Sequence, residues 1–285
     1  MSLPFPDSLI ASSLSFGIST TVYAPLERVK LLLQCQSEIR KQRQMTQNYS
    51  GVRDCIKKIY KTEGLRSFWR GNLIHVLSHF PSQGFTFLTK ELIKSYLPNR
   101  NLLTNFLSGS LAGLVVHSSV YSFHFVRTRL ACDIKTKNGY QFNRAIDVYR
   151  KIAKSDGILG FYRGFTISCI GIVVYRGLYF GLYDSFRPLF VNKNNLALQL
   201  LANFLLGWSV TLIAKSMVYP FDTVKRRMMM TSGTKQHYYN FLDCAAQMLR
   251  KEGLKCFYRG MSVEVFGCIA GAFWLVGFDI FKSMI

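Results

Sequence analysis

Carboxylates are scarce in this sequence of 285 residues. Fifteen Asp and Glu side chains stand against 36 Lys and Arg, so the formal net charge at pH 7 is +21. Such an excess suits a nucleic acid, an anionic membrane or an anionic solute as partner. The basic residues concentrate in three connectors, 27–70, 127–163 and 225–259, which fall on one side of a six-span topology. That asymmetry is typical of a membrane protein whose basic connectors all face the same side of the bilayer. We therefore expect no nucleic-acid partner.

The marks of an enzyme active site are also missing. The sequence has no Ser-His-Asp order, no phosphate-binding loop and no metal-ligand spacing, and His75 and His79 share a helix face without a third ligand. Seven cysteines without a CxxC pair indicate reduced thiols. The first apolar run begins by residue 8 without a basic leader, so no removable signal is expected. We predict a protein that is not an enzyme and has no cofactor or metal.

Long uncharged runs are abundant. A helix needs about 20 mainly apolar residues to cross a bilayer. Four runs contain no charged residue, at 8–26, 71–89, 101–126 and 194–214. Two further runs carry one charge each, Arg176 in 164–183 and Glu264 in 261–278, and we expect both to score weakly in a hydropathy scan. The sequence therefore predicts an all-α membrane protein with six transmembrane helices.

Three landmarks recur at intervals of about 95 residues. An aromatic-Arg-Gly step follows an acid-Gly pair, at 69–71, 162–164 and 258–260. A proline-centred motif comes late in the odd-numbered spans, at 25–30 and 220–225, with a degenerate copy at 122–127. An acid and a base close each even-numbered span. These landmarks divide the chain into three repeats, 1–100, 101–193 and 194–285.

Each connector is also predicted to contain a short amphipathic helix. Apolar residues recur at helical spacing in all three connectors. The predicted apolar stripes are Val52, Ile56, Ile59 and Tyr60 in the first, Ile146, Tyr149 and Ile152 in the second, and Phe241, Ala245, Met248 and Leu249 in the third. We expect these helices to lie along the membrane surface.

The repeats, the proline motifs and the closing acid-base pairs resemble the mitochondrial carrier family over essentially the whole chain. The resemblance implies a pseudo-threefold bundle of six tilted helices around a central cavity, with short helices on the matrix side and transport by alternating access. It also implies a multi-pass protein of the mitochondrial inner membrane, with both termini on the intermembrane-space side. A reduced, mitochondrion-related organelle remains open as the location.

The resemblance further implies a layer of ion pairs that closes the matrix side. Glu27 is expected to pair with Arg127, and Asp222 with Lys30. Gln34 is expected to brace the Lys30 pair by hydrogen bonding. A proline in the odd-numbered helices bends each axis so that these residues meet near the symmetry axis.

One corner of this matrix gate is altered in the sequence. His124 stands where an acid would meet Lys225, and Ser122 replaces the proline of the motif. The opposite, cytoplasmic gate has every expected charge. Its residues are Glu91, Lys94, Asp184, Arg187, Asp279 and Lys282.

The aromatic-Arg-Gly steps stand at predicted helix starts, where free amides and the helix dipole attract anions. Members of the family bind cardiolipin phosphate there. The resemblance therefore assigns cardiolipin to Arg70, Gly71, Arg163, Gly164, Arg259 and Gly260. The alternative is that these glycines serve only the turn that begins each helix.

One motif is narrower than the family and looks like the signature of ADP/ATP carriers with one Lys for Arg. It consists of Lys225, Arg226, Arg227, Met228, Met229 and Met230. The candidate substrate-binding residues are Lys90, Gly171, Ile172, Tyr175, Arg176, Lys215, Lys225 and Glu264. Three positions that are cationic in ADP/ATP carriers are changed here, to Thr20, Ser78 and Gly267.

Two functional hypotheses follow from this mixture. The first is exchange of adenine nucleotides, or of another small anionic or zwitterionic solute, across the inner membrane. The second is a carrier-fold subunit that has lost transport and serves as a structural part of an inner-membrane respiratory complex. Arg176, Lys215 and Glu264 are the intramembrane charges on which the choice depends, and Lys215 and Glu264 are close enough in the topology to pair.

Overall fold

The computed structural model describes residues 5–43, 48–96, 102–136, 139–190, 196–234 and 238–267. Its helices are α1 (Phe5–Arg43), α2 (Val52–Glu63), α3 (Asn72–Tyr96), α4 (Leu102–Ala131), α5 (Ala145–Asp156), α6 (Phe165–Phe190), α7 (Leu196–Thr231), α8 (Phe241–Glu252) and α9 (261–267). Short 3-10 turns at Leu65–Trp69, Ile158–Tyr162 and Leu254–Tyr258 follow α2, α5 and α8. Apart from one bridge between Thr136 and Gly139, the described residues contain no β structure.

Long and short helices alternate in a way that repeats three times. In the first repeat α1 is followed by α2, a 3-10 turn and α3, and the same order recurs through α4 to α6 and α7 to α9. Pro25 lies inside α1 and Pro220 inside α7, where each removes one backbone hydrogen bond. Helix α1 packs against both α3 and α7, so the first repeat contacts the last.

The three short helices are amphipathic, as the sequence predicts, and most of each predicted stripe faces a core. Ile59, Ile152 and Met248 are buried, and the partly buried residues that pack against the clusters are Val52, Ile56, Tyr149, Phe241 and Ala245. The buried residues are Cys55 and Ile59 in α2, Val148 and Ile152 in α5, and Cys244 and Met248 in α8. Three residues of the predicted stripes are exposed instead: Tyr60, Ile146 and Leu249.

Each short helix covers a hydrophobic cluster at the connector end of its repeat. Met230 belongs to the cluster covered by α2, Met229 to the cluster covered by α5, and Met228 packs against the cluster covered by α8. Three consecutive methionines thus enter three different cores. An unbranched, flexible side chain suits this position because each must fill a differently shaped gap. The methionine run of the sequence motif is therefore packing.

Three glycines with positive φ show that the repeats are arranged in a ring. Gly71, Gly164 and Gly260 have φ of 83°, 80° and 83°. A Cβ on Gly71 would lie 3.0 Å from the Arg127 carbonyl oxygen of the second repeat. The corresponding distances are 3.0 Å from Gly164 to the Lys225 oxygen and 3.3 Å from Gly260 to the Lys30 oxygen. Each glycine therefore lets its helix start against the next repeat, and the third returns to the first.

Within the described part of the chain, one helical segment, Ile158–Tyr183, is both long enough and apolar enough to cross a membrane by length and composition. Its mean hydropathy is 1.6. We expected the run 164–183 to score weakly because of Arg176, and that expectation is wrong. One guanidinium is outweighed by the surrounding Ile, Val, Leu and aromatic residues of α6.

Candidate functional site

A cavity of about 340 Å³ lies where α1, α6, α7 and α9 converge, beside α4. Its walls include Lys30, His117, Ser168, Gly171, Ile172, Tyr175, Lys215, Tyr219, Asp222, Lys225, Arg226 and Glu264. Six of the predicted substrate-binding residues are among them: Gly171, Ile172, Tyr175, Lys215, Lys225 and Glu264. Cations and aromatic rings therefore share one chamber, as an anion with a flat ring would need.

Glu264 holds two of the cavity's ammonium groups. Lys30 Nζ on α1 donates to one carboxylate oxygen at 2.7 Å, and Lys215 Nζ on α7 donates to the other at 2.8 Å. The sequence left open whether Lys215 and Glu264 pair, and they do. The carboxylate sits on α9, so this cluster joins three helices.

The expected pairing of Lys30 with Asp222 is absent. Among the described residues, the carboxylates within ion-pair distance of Lys30 are Glu264 and, at 3.9 Å, Glu27. Asp222 instead binds Lys225 and, at 2.8 Å, Arg226 on its own helix. The repeat pattern could not show this, because the long lysine side chain reaches a carboxylate that has no counterpart in the repeat motif.

Glu27 and Arg127 form an ion pair between α1 and α4, at the connector end of the cavity. Both side chains are largely buried, with exposed fractions of 12% and 13%. Of the two expected pairs between proline motifs, this is the one that the described residues form. It joins the first and second repeats beside the cavity, and we call this contact between α1 and α4 the floor.

Gln34 does not brace Lys30, contrary to expectation. Its side-chain nitrogen donates to the Thr223 hydroxyl on α7 at 3.4 Å, and its backbone oxygen accepts from Arg227 at 3.2 Å. Gln34 is one turn further along α1 than Lys30 and is fully buried. Its contacts therefore join the first repeat to the third below the ion-pair layer.

The altered corner contains two histidines. His124, in place of an acid, lies with its ring centre 6.1 Å from that of His117. His117 Nε2 is 2.8 Å from the Ser168 hydroxyl on α6. Lys225 takes Asp222 as its partner from within α7. The corner between the second and third repeats is thus joined by a histidine-serine contact, while the charges stay on one helix.

Arg176 is not brought to the cluster of Lys215 and Glu264. Arg176 is not among the described side chains that line the cavity. Its guanidinium lies over Gly113 of α4, where a Cβ would be 2.6 Å from one guanidinium nitrogen. Tyr175 does face the cavity and begins a stack with Tyr179 and Tyr183 along α6. Position 113 must stay small for this placement of Arg176.

The three positions without the expected cations are occupied as follows. The Thr20 hydroxyl donates to the Phe16 carbonyl and the Ser78 hydroxyl to the His75 carbonyl, both within their own helices. A Cβ on Gly267 would lie 2.5 Å from the Tyr23 hydroxyl oxygen. None of the three side chains supplies a positive charge.

Comparison with known proteins decides the family. The family model described as "Mitochondrial carrier protein" matches three times, at residues 2–101, 98–194 and 197–285. The ADP,ATP carrier protein of Chlamydomonas reinhardtii is 44% identical over 286 aligned positions, which cover 96% of this chain and 92% of that protein. The chain belongs to the mitochondrial carrier family.

Other relatives of this carrier have the same description. ADP,ATP carrier protein 3 of Saccharomyces cerevisiae is 45% identical over 278 positions, 94% of this chain and 90% of that protein. ADP,ATP carrier protein 2, mitochondrial, of Zea mays is 45% identical over 286 positions, 96% of this chain and 74% of that protein. These relatives are carriers, which points away from an enzyme.

Three buried arginines bind the carrier's repeats together, and although Arg28 and Arg227 lie in the sequence motifs, this role was predicted for none of the three. Arg28 donates to the Ala131 and Asp133 carbonyls of the second repeat. Arg129 donates to the Met230 carbonyl of the third, and Arg227 to the Gln34 carbonyl of the first. Arg129 and Arg227 both lie seven residues after the first residue of their motif, Ser122 or Pro220, and that shared spacing could have found these two but not Arg28.

The arginines of the aromatic-Arg-Gly steps are engaged with carboxylates. Arg70 binds Asp133 at 3.0 Å, Arg163 binds Asp156 at 2.9 Å, and Arg259 binds Glu252. Burial alone would raise the pKa of Glu252, but the hydrogen bond and charge of Arg227 lower it to about 2. Each step therefore presents its glycine and backbone amides, while its guanidinium is held by the protein.

Several predicted residues of the carrier lie outside the described part of the structure. They are the side chains of Lys90, Glu91, Lys94, Asp184 and Arg187, and the whole of Asp279 and Lys282. These residues make up the predicted cytoplasmic gate and one candidate substrate contact. The site described above is therefore the matrix half of the predicted machinery.

Proposed function

We propose that this carrier exchanges adenine nucleotides across the mitochondrial inner membrane by alternating access. Six transmembrane helices in three repeats, 1–100, 101–193 and 194–285, would form the pathway, with both termini in the intermembrane space. The similarity to ADP,ATP carriers over nearly the whole chain supports this assignment. The cavity supports it independently.

The observation that carries the proposal is the composition of the cavity wall. Lys30, Lys215 and Lys225 supply ammonium groups at one side, and Gly171, Ile172 and Tyr175 of α6 supply a smooth apolar and aromatic face at the other. A nucleotide has phosphates for the first surface and a purine ring for the second. A Cβ on Gly171 would lie 3.4 Å from Val218 of α7, so α6 and α7 pack closely beside this face.

Alternating access requires that the closed floor can open. The pair of Glu27 and Arg127 is geometrically specific, yet desolvation offsets much of its attraction. In our proposal it separates when the carrier opens to the matrix, and the predicted cytoplasmic residues close the other end. Those are Glu91, Lys94, Asp184, Arg187, Asp279 and Lys282.

Cardiolipin is proposed to bind at the helix starts that follow the aromatic-Arg-Gly steps. The support is the helix start that follows each of Gly71, Gly164 and Gly260, because the first amides of a helix have no intrahelical partner and attract anions. Because Arg70, Arg163 and Arg259 are engaged with carboxylates, the backbone amides are proposed to supply most of the phosphate contacts.

The test is uptake of labelled ADP by liposomes that contain the purified full chain. We expect uptake only when the liposomes hold unlabelled ADP or ATP inside, because exchange needs a returning substrate. Tyr175→Ala, which removes the ring from the proposed purine surface, should raise the half-saturating concentration of ADP. Exposed Tyr239→Ala, on a connector, is the matched control. Absence of exchange with every nucleotide would overturn the proposal.

A second function, a structural subunit of a respiratory complex without transport, is favoured by one observation. Thr20, Ser78 and Gly267 supply none of the cations that nucleotide carriers have there, and Tyr23 occupies the space over Gly267. Extraction of native membranes in mild detergent discriminates between the two functions. Stable copurification with respiratory subunits, together with no exchange in liposomes, would support the structural function.

A further inference from the structure

Glu264 occupies the place in the cavity where a substrate anion would be expected. Its carboxylate accepts from Lys30 at 2.7 Å and from Lys215 at 2.8 Å, with one oxygen for each ammonium group. A phosphate that entered the cavity would offer the same kind of oxygen to the same donors. The side chain of Lys215 is one-third exposed, whereas those of Lys30 and Glu264 are about one-tenth exposed or less. An incoming anion therefore meets Lys215 first.

The charges of the cavity wall are balanced internally. Four cationic side chains line it, Lys30, Lys215, Lys225 and Arg226, and two carboxylates, Asp222 and Glu264. Each carboxylate binds two of the cations. The formal excess is therefore two positive charges. ADP carries about three negative charges and ATP about four, so a nucleotide is not neutralised while both carboxylates keep their partners.

The two carboxylates differ in what their displacement would do. Asp222 holds cations three and four residues ahead on the same helix, so releasing them changes no contact between helices. Glu264 on α9 holds one cation on α1 and one on α7. Displacing Glu264 therefore loosens a three-helix junction. Lys30, once released, lies beside Glu27 at 3.9 Å, next to the ion pair that closes the floor.

We propose that Glu264 is a resident counter-anion, which the phosphate of an entering nucleotide displaces from Lys215 and Lys30. The proposal rests on the function proposed above. It adds a residue that selects substrates by their negative charge and that links substrate binding to opening of the floor. When the nucleotide leaves, Glu264 takes back both lysines and restores the empty cavity. The carrier needs no other anion for that return.

This role predicts a gain of affinity on removal of the carboxylate. Glu264→Gln leaves both ammonium groups to the substrate, so the half-saturating concentration of nucleotide should fall about tenfold, and further for ATP than for ADP. The maximal exchange rate should fall as well, because nothing competes for the lysines when the product leaves. A purely structural carboxylate would give the opposite change in affinity.

The experiment measures exchange of labelled ADP and ATP in liposomes, and the melting temperature of the purified full chain with and without ADP. Wild type is compared with Glu264→Gln and with the double variant Lys215→Gln plus Glu264→Gln. The double variant keeps the charge balance and should return the half-saturating concentration towards wild type. Glu38→Gln is the matched control, because Glu38 is also buried and bound to a lysine but lies outside the cavity.

The outcomes separate this inference from the transport proposal. Tighter nucleotide binding by Glu264→Gln, with no such gain in Glu38→Gln, supports the inference. Unchanged or weaker binding overturns it while leaving transport intact if the wild type exchanges. If no protein exchanges nucleotides, a larger ADP-induced rise of melting temperature in Glu264→Gln still supports the inference and removes the transport proposal. No exchange and no stabilisation by ADP in any variant contradicts both.

Discussion

The ring of Tyr23 on α1 lies directly over Gly267 on α9. A Cβ on Gly267 would be 2.5 Å from the tyrosine oxygen and 2.7 Å from the ring carbon that bears it. The hydroxyl donates to the Val263 carbonyl at 3.1 Å, which fixes the ring in that position. An arginine at position 267 is therefore incompatible with Tyr23 as placed, and the two residues are a matched pair.

Gly267→Ala should consequently destabilise the carrier. The methyl group forces the tyrosine ring to move and breaks its hydrogen bond, which costs about 1–3 kcal/mol. Tyr23→Ala should remove most of this penalty, so the double variant should lose less than the sum of the two single losses. Melting temperatures in detergent measure the effect. Additive losses would show that the two residues do not constrain each other.

Glu27→Gln should weaken the closed floor. It leaves the largely buried guanidinium of Arg127 without its carboxylate, which costs about 3 kcal/mol of stability. The reversed pair, Glu27→Arg with Arg127→Glu, should recover part of that loss. Asp54→Asn breaks an exposed pair with Lys58 and should leave the melting temperature unchanged. Equal effects of Glu27→Gln and Asp54→Asn would contradict the assigned closure.

Two native cysteines can report opening of the floor. Cys35 on α1 and Cys132 after α4 are 0% and 1% exposed, where the first two repeats meet. The hydrogen bond with Cys132, together with burial, raises the pKa of the Cys35 thiol, so maleimide should react slowly in the closed state.

Added ADP that drives exchange should speed labelling of both cysteines, located by mass spectrometry of peptides. Cys244, buried beside Met248 under α8 and in a different cluster from Cys35 and Cys132, is the internal control and should stay protected. Labelling of Cys35 and Cys132 that does not respond to ADP, although exchange occurs, would contradict separation of α1 from α4.

Much of the fold is predictable from the sequence because the same landmarks occur in each of the three repeats. The proline motifs, the short helices and the aromatic-Arg-Gly steps each mark a boundary that the structure places close to the expected residue. The pairing of Glu27 and Arg127 was also expected, from the resemblance to the family. The three segments that match the family model recur at nearly the same interval, at 2–101, 98–194 and 197–285.

The partner of Lys30 was not predictable in the same way. Repeat logic compares equivalent positions, and Glu264 has no acidic equivalent in the other two repeats. The bond forms because a four-carbon side chain can turn from its expected partner Asp222 to a carboxylate on a neighbouring helix. Which of two carboxylates it takes depends on distances of an ångström or two, which periodicity does not encode.

The centres of the buried stripes of the short helices were predicted correctly, but one edge residue of each was not. Hydropathy favours Tyr60, Ile146 and Leu249, yet the structure buries Cys55, Val148 and Cys244. The side chains that pack closest to the long helices are chosen by size as well as by polarity. A scan that counted cysteine as an apolar residue would have added Cys55 and Cys244 to the predicted stripes.

Acid should destabilise the connector through Glu252. Its pKa is lowered to about 2 from an ordinary value of 4.5, so its ion pairs with Arg227 and Arg259 stabilise the fold fully above about pH 4.5. That contribution is lost as the pH falls from about 4.5 towards about 2. Glu252→Gln should lower the melting temperature at pH 7 and make it less dependent on pH between 5 and 3. An unchanged pH dependence would contradict this linkage.

The central claim is that the cavity between α1, α6 and α7 holds the phosphates of a transported adenine nucleotide. Exchange of labelled ADP by wild-type and Lys215→Gln carriers in liposomes tests it most directly. Lys58→Gln, in which an exposed lysine of α2 is changed, is the control. We predict a half-saturating concentration at least about tenfold higher for Lys215→Gln and unchanged for Lys58→Gln. Equal half-saturating concentrations in all three proteins would contradict the account.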